Sequence, residues 1–242
     1  MADLKTIAKS NVTMLSSNQY PGRGIIQGLT PDGKNLVQVY FIMGRSENSR
    51  NRIFIEEQGF VRTHPHDAAK MKDPSLIIYY PVRFFNNIHV VSNGDQTDTV
   101  YEGLKNGTSF ENSLKTREFE PDSPNYTPRI TGLIDLDDKQ CAYKFSVIRS
   151  SFNNPEICER FSFVYEKPIA GFGHCVHTYD GDGDPLPSFS KIPYIIPLDN
   201  DISVTMNTVW GCLNKDNRVS LLVKFIETAS KKVDIKIINA NT

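Results

Sequence analysis

Val90-Val91-Ser92-Asn93-Gly94-Asp95-Gln96-Thr97-Asp98-Thr99-Val100 joins an apolar run to a helical pattern through a turn of small residues. Asn-Gly tolerates positive φ at both positions and so favours a tight turn. Asp95, Thr97 and Asp98 are each suited to cap the helix that follows, which the pattern carries from near Asp98 to about Asn106-Gly107. A strand, a tight turn and a helix start together bring free backbone N–H groups to one spot, a geometry that suits phosphate or another anion. The same pattern also makes an ordinary strand-to-helix connection, so its meaning depends on the surrounding chain.

Upstream, Asp73-Pro74-Ser75-Leu76-Ile77-Ile78-Tyr79-Tyr80-Pro81-Val82-Arg83 reads as a turn and an apolar strand ending at Pro81. A tyrosine at a strand end either faces a pocket or lies in the core with its hydroxyl satisfied. Downstream, Thr108-Ser-Phe-Glu111 has capping-box spacing and starts a second helix, running to about Arg117. A proline-rich loop, Phe119-Glu120-Pro121 to Pro128-Arg129, leads into strands expected at 130–136, 141–147 and 159–166. Before the opening stretch, 23–43 reads as a β-hairpin about Thr30-Pro31-Asp32-Gly33-Lys34-Asn35, and 53–57 as another strand. Residues 1–19 read as an N-terminal leader, a short helix lying against the body. Asn200 or Asp201 caps a helix to about Leu213, and the end is a hairpin of 219–226 and 233–239. Many antiparallel strands with two groups of helices give an α+β fold. No repeat or low-complexity linker divides the 242 residues, so they read as a single domain.

Composition narrows the function. Hydrophobic residues make up 39% of the chain, and 27 basic against 28 acidic residues leave a net charge of −1. That balance argues against a general nucleic-acid binder. The N-terminus lacks the apolar region of a signal peptide, and no apolar run approaches the roughly 18 residues of a membrane span. Cys141, Cys158, Cys175 and Cys212 are scattered, which reads as reduced cysteines in the cytoplasm, and the sequons at Asn11, Asn106 and Asn125 as chance matches. Gly28 to Asn35 imitates a phosphate-binding P-loop but lacks its Ser/Thr and runs into a strand; Gly22-Arg-Gly24 fails as a dinucleotide fingerprint likewise. His64-Pro65-His66 and His174-Cys175-Val176-His177 lack a third ligand at metal-site spacing and read as surface loops. Asp180-Gly181-Asp182-Gly183-Asp184 begins like a calcium loop, but Pro185 and Lys191 stand where glycine and glutamate are needed, leaving a glycine-rich acidic turn. No metal and no cofactor is therefore expected. Gly44-Arg45-Ser46-Glu47-Asn48-Ser49-Arg50-Asn51-Arg52 is different: its three guanidinium forks match phosphate or carboxylate oxygens.

Four segments then occur in order: Tyr20-Pro-Gly-Arg-Gly-Ile-Ile-x-Gly28, Gly44-Arg-Ser-x-x-Ser-Arg-Asn-Arg52, Val91-Ser-Asn-Gly-x-x-Thr-Asp-Thr99 and Thr127-Pro-Arg-Ile130. Together they resemble the archaeal-type IMP cyclohydrolase family, over roughly residues 20–135. The Thr178-Tyr-x-Gly-Asp-Gly183 segment and the last hairpin resemble its longer bacterial branch. The resemblance implies a four-layer αββα sandwich like that of the N-terminal-nucleophile hydrolases. It also implies closure of 5-formamidoimidazole-4-carboxamide ribotide (FAICAR) to IMP, the last step of purine synthesis. The parent fold's nucleophile has no counterpart, because the chain starts Met-Ala and its first strand begins near Arg23.

By that resemblance, Arg50, Tyr79 and Glu120 match the proposed catalytic groups: Arg50 for the oxyanion, Tyr79 for donation to it or to the leaving hydroxyl, Glu120 for proton transfer. A one-residue shift would put Tyr80 in place of Tyr79. Arg23, Arg45 and Arg129 are candidates for substrate phosphate and base, with Asn93 at the turn. The partner implied is a small purine ribonucleotide, with no nucleic acid and no membrane, and homo-oligomer formation is compatible with the sequence. Two other readings stay open: a purine-nucleotide-binding protein without catalysis, and an amidohydrolase acting on another small amide.

Overall fold

Leu36–Met43 lacks the polar alternation of a half-exposed strand, and every one of its residues is buried. A strand buried on both faces needs a layer on each side. The computed structural model, which describes residues 3–71, 74 and 77–241, supplies both layers. The elements are α1 (Leu4–Ser17), β1 (Arg23–Leu29), β2 (Asn35–Met43), α2 (Glu47–Arg50), β3 (Ile53–Glu57), β4 (Phe60–His64), β5 (Val82–Phe85), β6 (Ile88–Ser92), α3 (Gln96–Lys105) and α4 (Phe110–Ser113). They continue with β7 (Arg129–Asp135), β8 (Tyr143–Ser151), β9 (Asn154–Tyr165), β10 (Phe172–His177), β11 (Tyr194–Pro197), α5 (Ile202–Cys212), β12 (Arg218–Glu227) and β13 (Val233–Asn239).

The fold is α+β with two antiparallel sheets. One runs β11-β10-β1-β2-β12-β13, the other β3-β4-β5-β6-β7-β8-β9. The period of two sorts the side chains of β2 and β12. Val37, Val39, Phe41, Leu221, Val223 and Phe225 join Leu15 of α1 and Ile202 and Val209 of α5 in one core. Tyr40, Ile42, Leu222 and Ile226 point the other way and pack with Phe54, Val61, Val91 and Phe145 of the second sheet. A third core sets Val100, Phe110 and Leu114 against Val90, Leu133 and Ile148 on that second sheet.

The hairpins at 23–43 and 219–239 fold as the pattern predicts, with Gly33 at φ +73° and Lys231 at φ +64° in their turns. The helix expected from Asp98 starts two residues earlier, at Gln96, and the second is capped by Ser109 rather than Thr108. The strand expected before Pro81 does not form at 77–80, and Asp73, Ser75 and Leu76 lie outside the described residues. Thr63 of β4 holds the stretch instead: Tyr79 N–H donates to Thr63 Oγ1, Thr63 N–H donates to the Tyr79 carbonyl, and the Thr63 hydroxyl donates to the Ile77 carbonyl. The segment 174–177, read as a surface loop, is instead the buried strand β10. Its imidazoles act as ring surface: His174 stacks on Tyr165 with centroids 3.9 Å apart, and His177 packs edge-on against Phe189. No described helix is long and apolar enough to cross a membrane.

One polar row crosses the core between the sheets. Gln27, Gln38 and Lys224 are register partners on β1, β2 and β12. Gln38 donates to Gln27 Oε1 and to the His89 carbonyl of the facing sheet. Lys224 is 0% exposed, and its Nζ lies 5.2 Å from the centroid of Phe84, with no hydrogen-bond partner among the described residues. Burial pulls its pKa down to about 7. The unfolded chain takes up a proton on this lysine up to its ordinary value, whereas the folded chain releases it above about pH 7. The cost of burying Lys224 is therefore full at and below neutrality and fades as pH rises. The Lys224→Met variant is expected to unfold at higher denaturant concentration than the wild type at pH 7, by on the order of 3–5 kcal/mol. That advantage should shrink steadily toward pH 9.5; a difference independent of pH would show that the lysine is not held neutral.

Candidate functional site

Four loops and strand ends deliver charged groups to one buried place. At the first, Gly22 takes φ +78°, and a Cβ there would meet Thr178 Oγ1 at 2.2 Å, so the chain enters β1 hard against that residue. This sets Arg23 at the head of β1, its backbone N–H donating to Thr178 Oγ1. At the second, the single turn of α2 ends and Arg52 turns inward just before β3. It is 1% exposed and its Nε donates to the Ser49 carbonyl. Third, Tyr79 is 5% exposed and shares a 2.7 Å hydrogen bond with Tyr40 through their hydroxyls. Fourth, the loop before β7 carries Glu120, 5% exposed, with its N–H bonded to the Thr127 carbonyl.

The electrostatics of these groups are mutual. Burial pushes Glu120 up to about 7, although Arg23, Arg129 and Arg52 all favour its ionised form. Burial pulls Arg52 down, and the like charge of Arg23 adds to it. Burial opposes the charge on Arg23 as well, but Tyr20, Glu120, Tyr179 and Tyr79 more than offset it and hold the group above the ordinary arginine value. Tyr79 is raised by burial against the pull of Arg52 and Arg23. Arg52 Nη1 and Nη2 and Arg23 Nε are buried without a hydrogen-bond partner among the described residues. Unpaired buried guanidinium nitrogens are costly. Two of them beside a single carboxyl form a place built for oxygen acceptors, carbonyl or anionic.

Aromatic groups close the site. Tyr20 stacks on Tyr179 with centroids 5.9 Å apart, and Tyr179 is bonded through its hydroxyl to Thr127, which is bonded in turn to Asp122. Of the two adjacent tyrosines, Tyr79 faces the cluster, whereas Tyr80 sits edge-on to Phe60.

The Ser92-Asn93-Gly94 turn backs directly onto this place. A Cβ at Gly94 would lie 2.7 Å from Gln96 Oε1, 2.8 Å from Arg129 Nη1 and 3.2 Å from Glu120 Oε1, so any side chain there would push aside the ends of those three groups. The turn contributes backbone more than side chains. Asn93 is buried with its amide engaged: Nδ2 donates to the Pro128 carbonyl, and Oδ1 accepts from Ile130 N–H and Gln96 Nε2. It ties the turn to β7 and is not aimed at a ligand. Asp95, Thr97 and Asp98 do not cap α3. Asp95 pairs with Arg129 at 2.7 Å and Arg117 at 2.8 Å, and Asp98 with Arg83 at 2.8 Å. The positive end of that helix is met by the protein's own carboxylates, which removes it as the anion site. Arg129 is likewise held by Glu118 and Gln96.

Arg50 does not join Tyr79 and Glu120. Its Nε donates to the Gly44 carbonyl and its Nη2 to Asn217. It lies in an open groove of about 450 Å³ with Arg45, Asn51, His66 and Lys70. Arg45 in turn is paired with Asp182 and lies 5.0 Å from the centroid of the Tyr20 ring. Arg50 ends the turn of α2 on its outer side, and Arg52, past that turn, faces inward. The same motif contains both, and only folding separates them. Sequence reasoning passed over Arg52, Tyr40, Tyr20 and Tyr179. For Arg52, Tyr20 and Tyr179 the signal was present within the quoted segments.

Comparison with known proteins accords with this geometry. A profile described as IMP cyclohydrolase-like protein matches residues 20–231. An IMP cyclohydrolase of Methanococcus maripaludis is 30% identical over 128 residues, which cover 51% of this chain and 62% of that protein. One from Methanopyrus kandleri is 30% identical over 120 residues, 48% of this chain and 59% of its own length. The chain thus spans about three-fifths of the curated relatives it matches.

If the inner cluster awaits an anion or carbonyl, Arg52→Met relieves an unpaired buried charge. The ligand-free variant is expected to melt above the wild type. A mononucleotide stabilises the wild type through preferential binding to the folded state, by about 2.7 kcal/mol at 100 times Kd, and raises its Tm; that rise should be smaller in Arg52→Met. Thermal scans with and without mononucleotide read both effects, and a variant that kept the full rise would show that Arg52 touches no part of the nucleotide.

Proposed function

The chain belongs to the IMP cyclohydrolase-like family, and from that premise we propose that it catalyses ring closure of FAICAR to IMP with release of water. The observation that carries the reading is buried Arg52 with half-buried Arg23: Arg52 Nη1 and Nη2 and Arg23 Nε are buried without a partner among the described residues, near Glu120 and Tyr79. We also read the two sheets and their helical covers as the four-layer αββα arrangement of the N-terminal-nucleophile hydrolases. The four cysteines are free, which fits a cytoplasmic protein.

The reaction needs no covalent catalyst. The carboxamide nitrogen attacks the formyl carbon of the same molecule, an N–C bond forms, and the formyl oxygen gains negative charge. The carboxamide nitrogen gives up one proton and the formamido nitrogen the other, the carbon–oxygen bond breaks as the ring C=N bond forms, and the former formyl oxygen departs as water with both hydrogens. Holding the two arms in contact supplies much of the rate by proximity. Arg52, with Arg23 beside it, is the group we assign to the oxyanion, a role the family resemblance alone would give to Arg50. Glu120, held near 7 by burial, is poised to take the amide proton at neutral pH and to return it to the leaving oxygen. Tyr79 donates its hydroxyl hydrogen to the same oxygen. The outer groove with Arg45 and Arg50 is suited to the ribotide phosphate, at the edge of the buried cluster because Asn51 lines the groove and Arg52 follows it.

Purified protein given FAICAR should form IMP, followed by its absorbance. In that assay Arg52→Met is expected to lower kcat by about 10²–10³, the cost of losing one oxyanion donor. Arg50→Ala should raise KM with kcat close to wild type, as loss of uniform binding does. No IMP from folded protein that still binds the nucleotide would leave a binding protein without catalysis. Turnover of linear amides in place of the ribotide would indicate an amidohydrolase. Equal kcat losses in the two arginine variants would return Arg50 to the oxyanion.

A further inference from the structure

Tyr40 sits at the middle of β2 on the face turned toward the second sheet. It is 0% exposed, and its ring packs against Phe54 with centroids 5.6 Å apart. Its hydroxyl has one hydrogen-bond partner among the described residues, Tyr79 Oη at 2.7 Å. A phenol carries a single hydrogen, so one of the two oxygens donates and the other accepts. The charges that act on Tyr40 are those of Arg23 and Arg52, which bear only donors. If Tyr79 donated inward, the hydrogen of Tyr40 would be buried among donors with nothing to accept it. Arg52 and Arg23 act on Tyr79 as well, but so does the carboxyl of Glu120, and Tyr79 is the less buried of the two, so that if Tyr40 donates both hydrogens have a use.

We propose that Tyr40 is a positioning residue: it donates its hydroxyl hydrogen to Tyr79 Oη, so that the Tyr79 hydrogen is turned toward the bound substrate. The assignment rests on the cyclohydrolase reading for its role in catalysis, but the direction of the hydrogen bond is argued from the burial of Tyr40 and from the donors and acceptors around the two hydroxyls, not from that reading. Accepting a hydrogen bond also makes Tyr79 a stronger donor, because hydrogen bonds in a chain polarise one another. The arrangement matters most in the transition state, when charge gathers on the oxygen that Tyr79 approaches.

Tyr40→Phe removes one oxygen from a packed ring and leaves its shape. The variant is expected to lower kcat by about 3–10-fold, the rate equivalent of one neutral hydrogen bond, with KM within twofold of wild type. In a Tyr79→Phe background the same change should alter kcat by less than twofold, since there is no longer a hydroxyl to position. A second readout needs no activity. With 3-fluorotyrosine incorporated and the Tyr79 resonance identified from its loss in Tyr79→Phe, ¹⁹F NMR follows the ionisation of Tyr79 alone. Losing a donor makes a phenolate harder to form, so the Tyr79 titration should move to higher pH in Tyr40→Phe. Movement to lower pH would mean that Tyr79 had been the donor, and would overturn the proposal. An unmoved titration together with unchanged kcat would overturn it too. Should Tyr40→Phe fold poorly, the Tyr40 resonance in Tyr79→Phe gives the complementary test, and it should shift to lower pH when its acceptor is removed. A protein that forms no IMP but shows these titration shifts would retain the hydrogen-bond assignment and lose only the cyclohydrolase reading.

Discussion

Arg23, Arg52 and Glu120 set the central constraint of this protein: two guanidiniums and one carboxyl share a buried space with too few partners. Arg52 Nη1 and Nη2 are unpaired, and Glu120 is driven toward its neutral form by the same burial that crowds the arginines. Such a group is stable only if the surrounding framework is strong enough to carry it. Both sheets serve that end. Arg23 begins a strand of one, Arg52 precedes a strand of the other, and the core formed by Tyr40, Phe54, Val91, Phe145 and Leu222 holds the two together.

The loops around the cluster show how the framework is applied. Asn93 spends its amide on Pro128, Ile130 and Gln96, which locks the 92–94 turn to β7. Asp95 spends its carboxylate on Arg117 and Arg129. Those residues look like ligand contacts in isolation, and their work is to hold Gly94 and Glu120 in place. Within the cluster, the buried nitrogens without a partner among the described residues belong to Arg23 and Arg52. A site that binds a polar substrate is expected to keep its unsatisfied groups where the substrate arrives and to satisfy the rest internally.

A second buried cation, Lys224, lies in the same layer between the sheets but has a different character. It faces Phe84 and the polar row of Gln27 and Gln38, and no carboxylate acts on it. Burial alone determines its protonation. The arginines of the cluster keep their charge because the ordinary value of guanidinium lies so far above neutrality. The contrast bears on the use of arginine in the cluster: a guanidinium keeps its charge under burial that pulls a lysine down toward neutrality.

The sequence by itself determined the class of fold, the two terminal hairpins and the site's neighbourhood. Runs rich in β-branched and aromatic residues, bounded by turn chemistry, are local signals, and so β1, β2, β12 and β13 were legible in residue order. The four ordered segments likewise carry Arg23, Arg52, Gly94 and Arg129. Tertiary structure decided which of those side chains meet. Arg50 and Arg52 are two residues apart, and whether each faces the groove or the core depends on where the single turn of α2 stops and β3 begins. Strand β10 was hidden because His174 and His177 read as polar, yet rings on both sides bury them. The same holds for Tyr40: nothing near it in the chain distinguishes it from other core tyrosines. Only the approach of Tyr79, 39 residues away, gives its hydroxyl a partner, and contacts of that range are fixed by the packing of the two sheets and not by any local pattern.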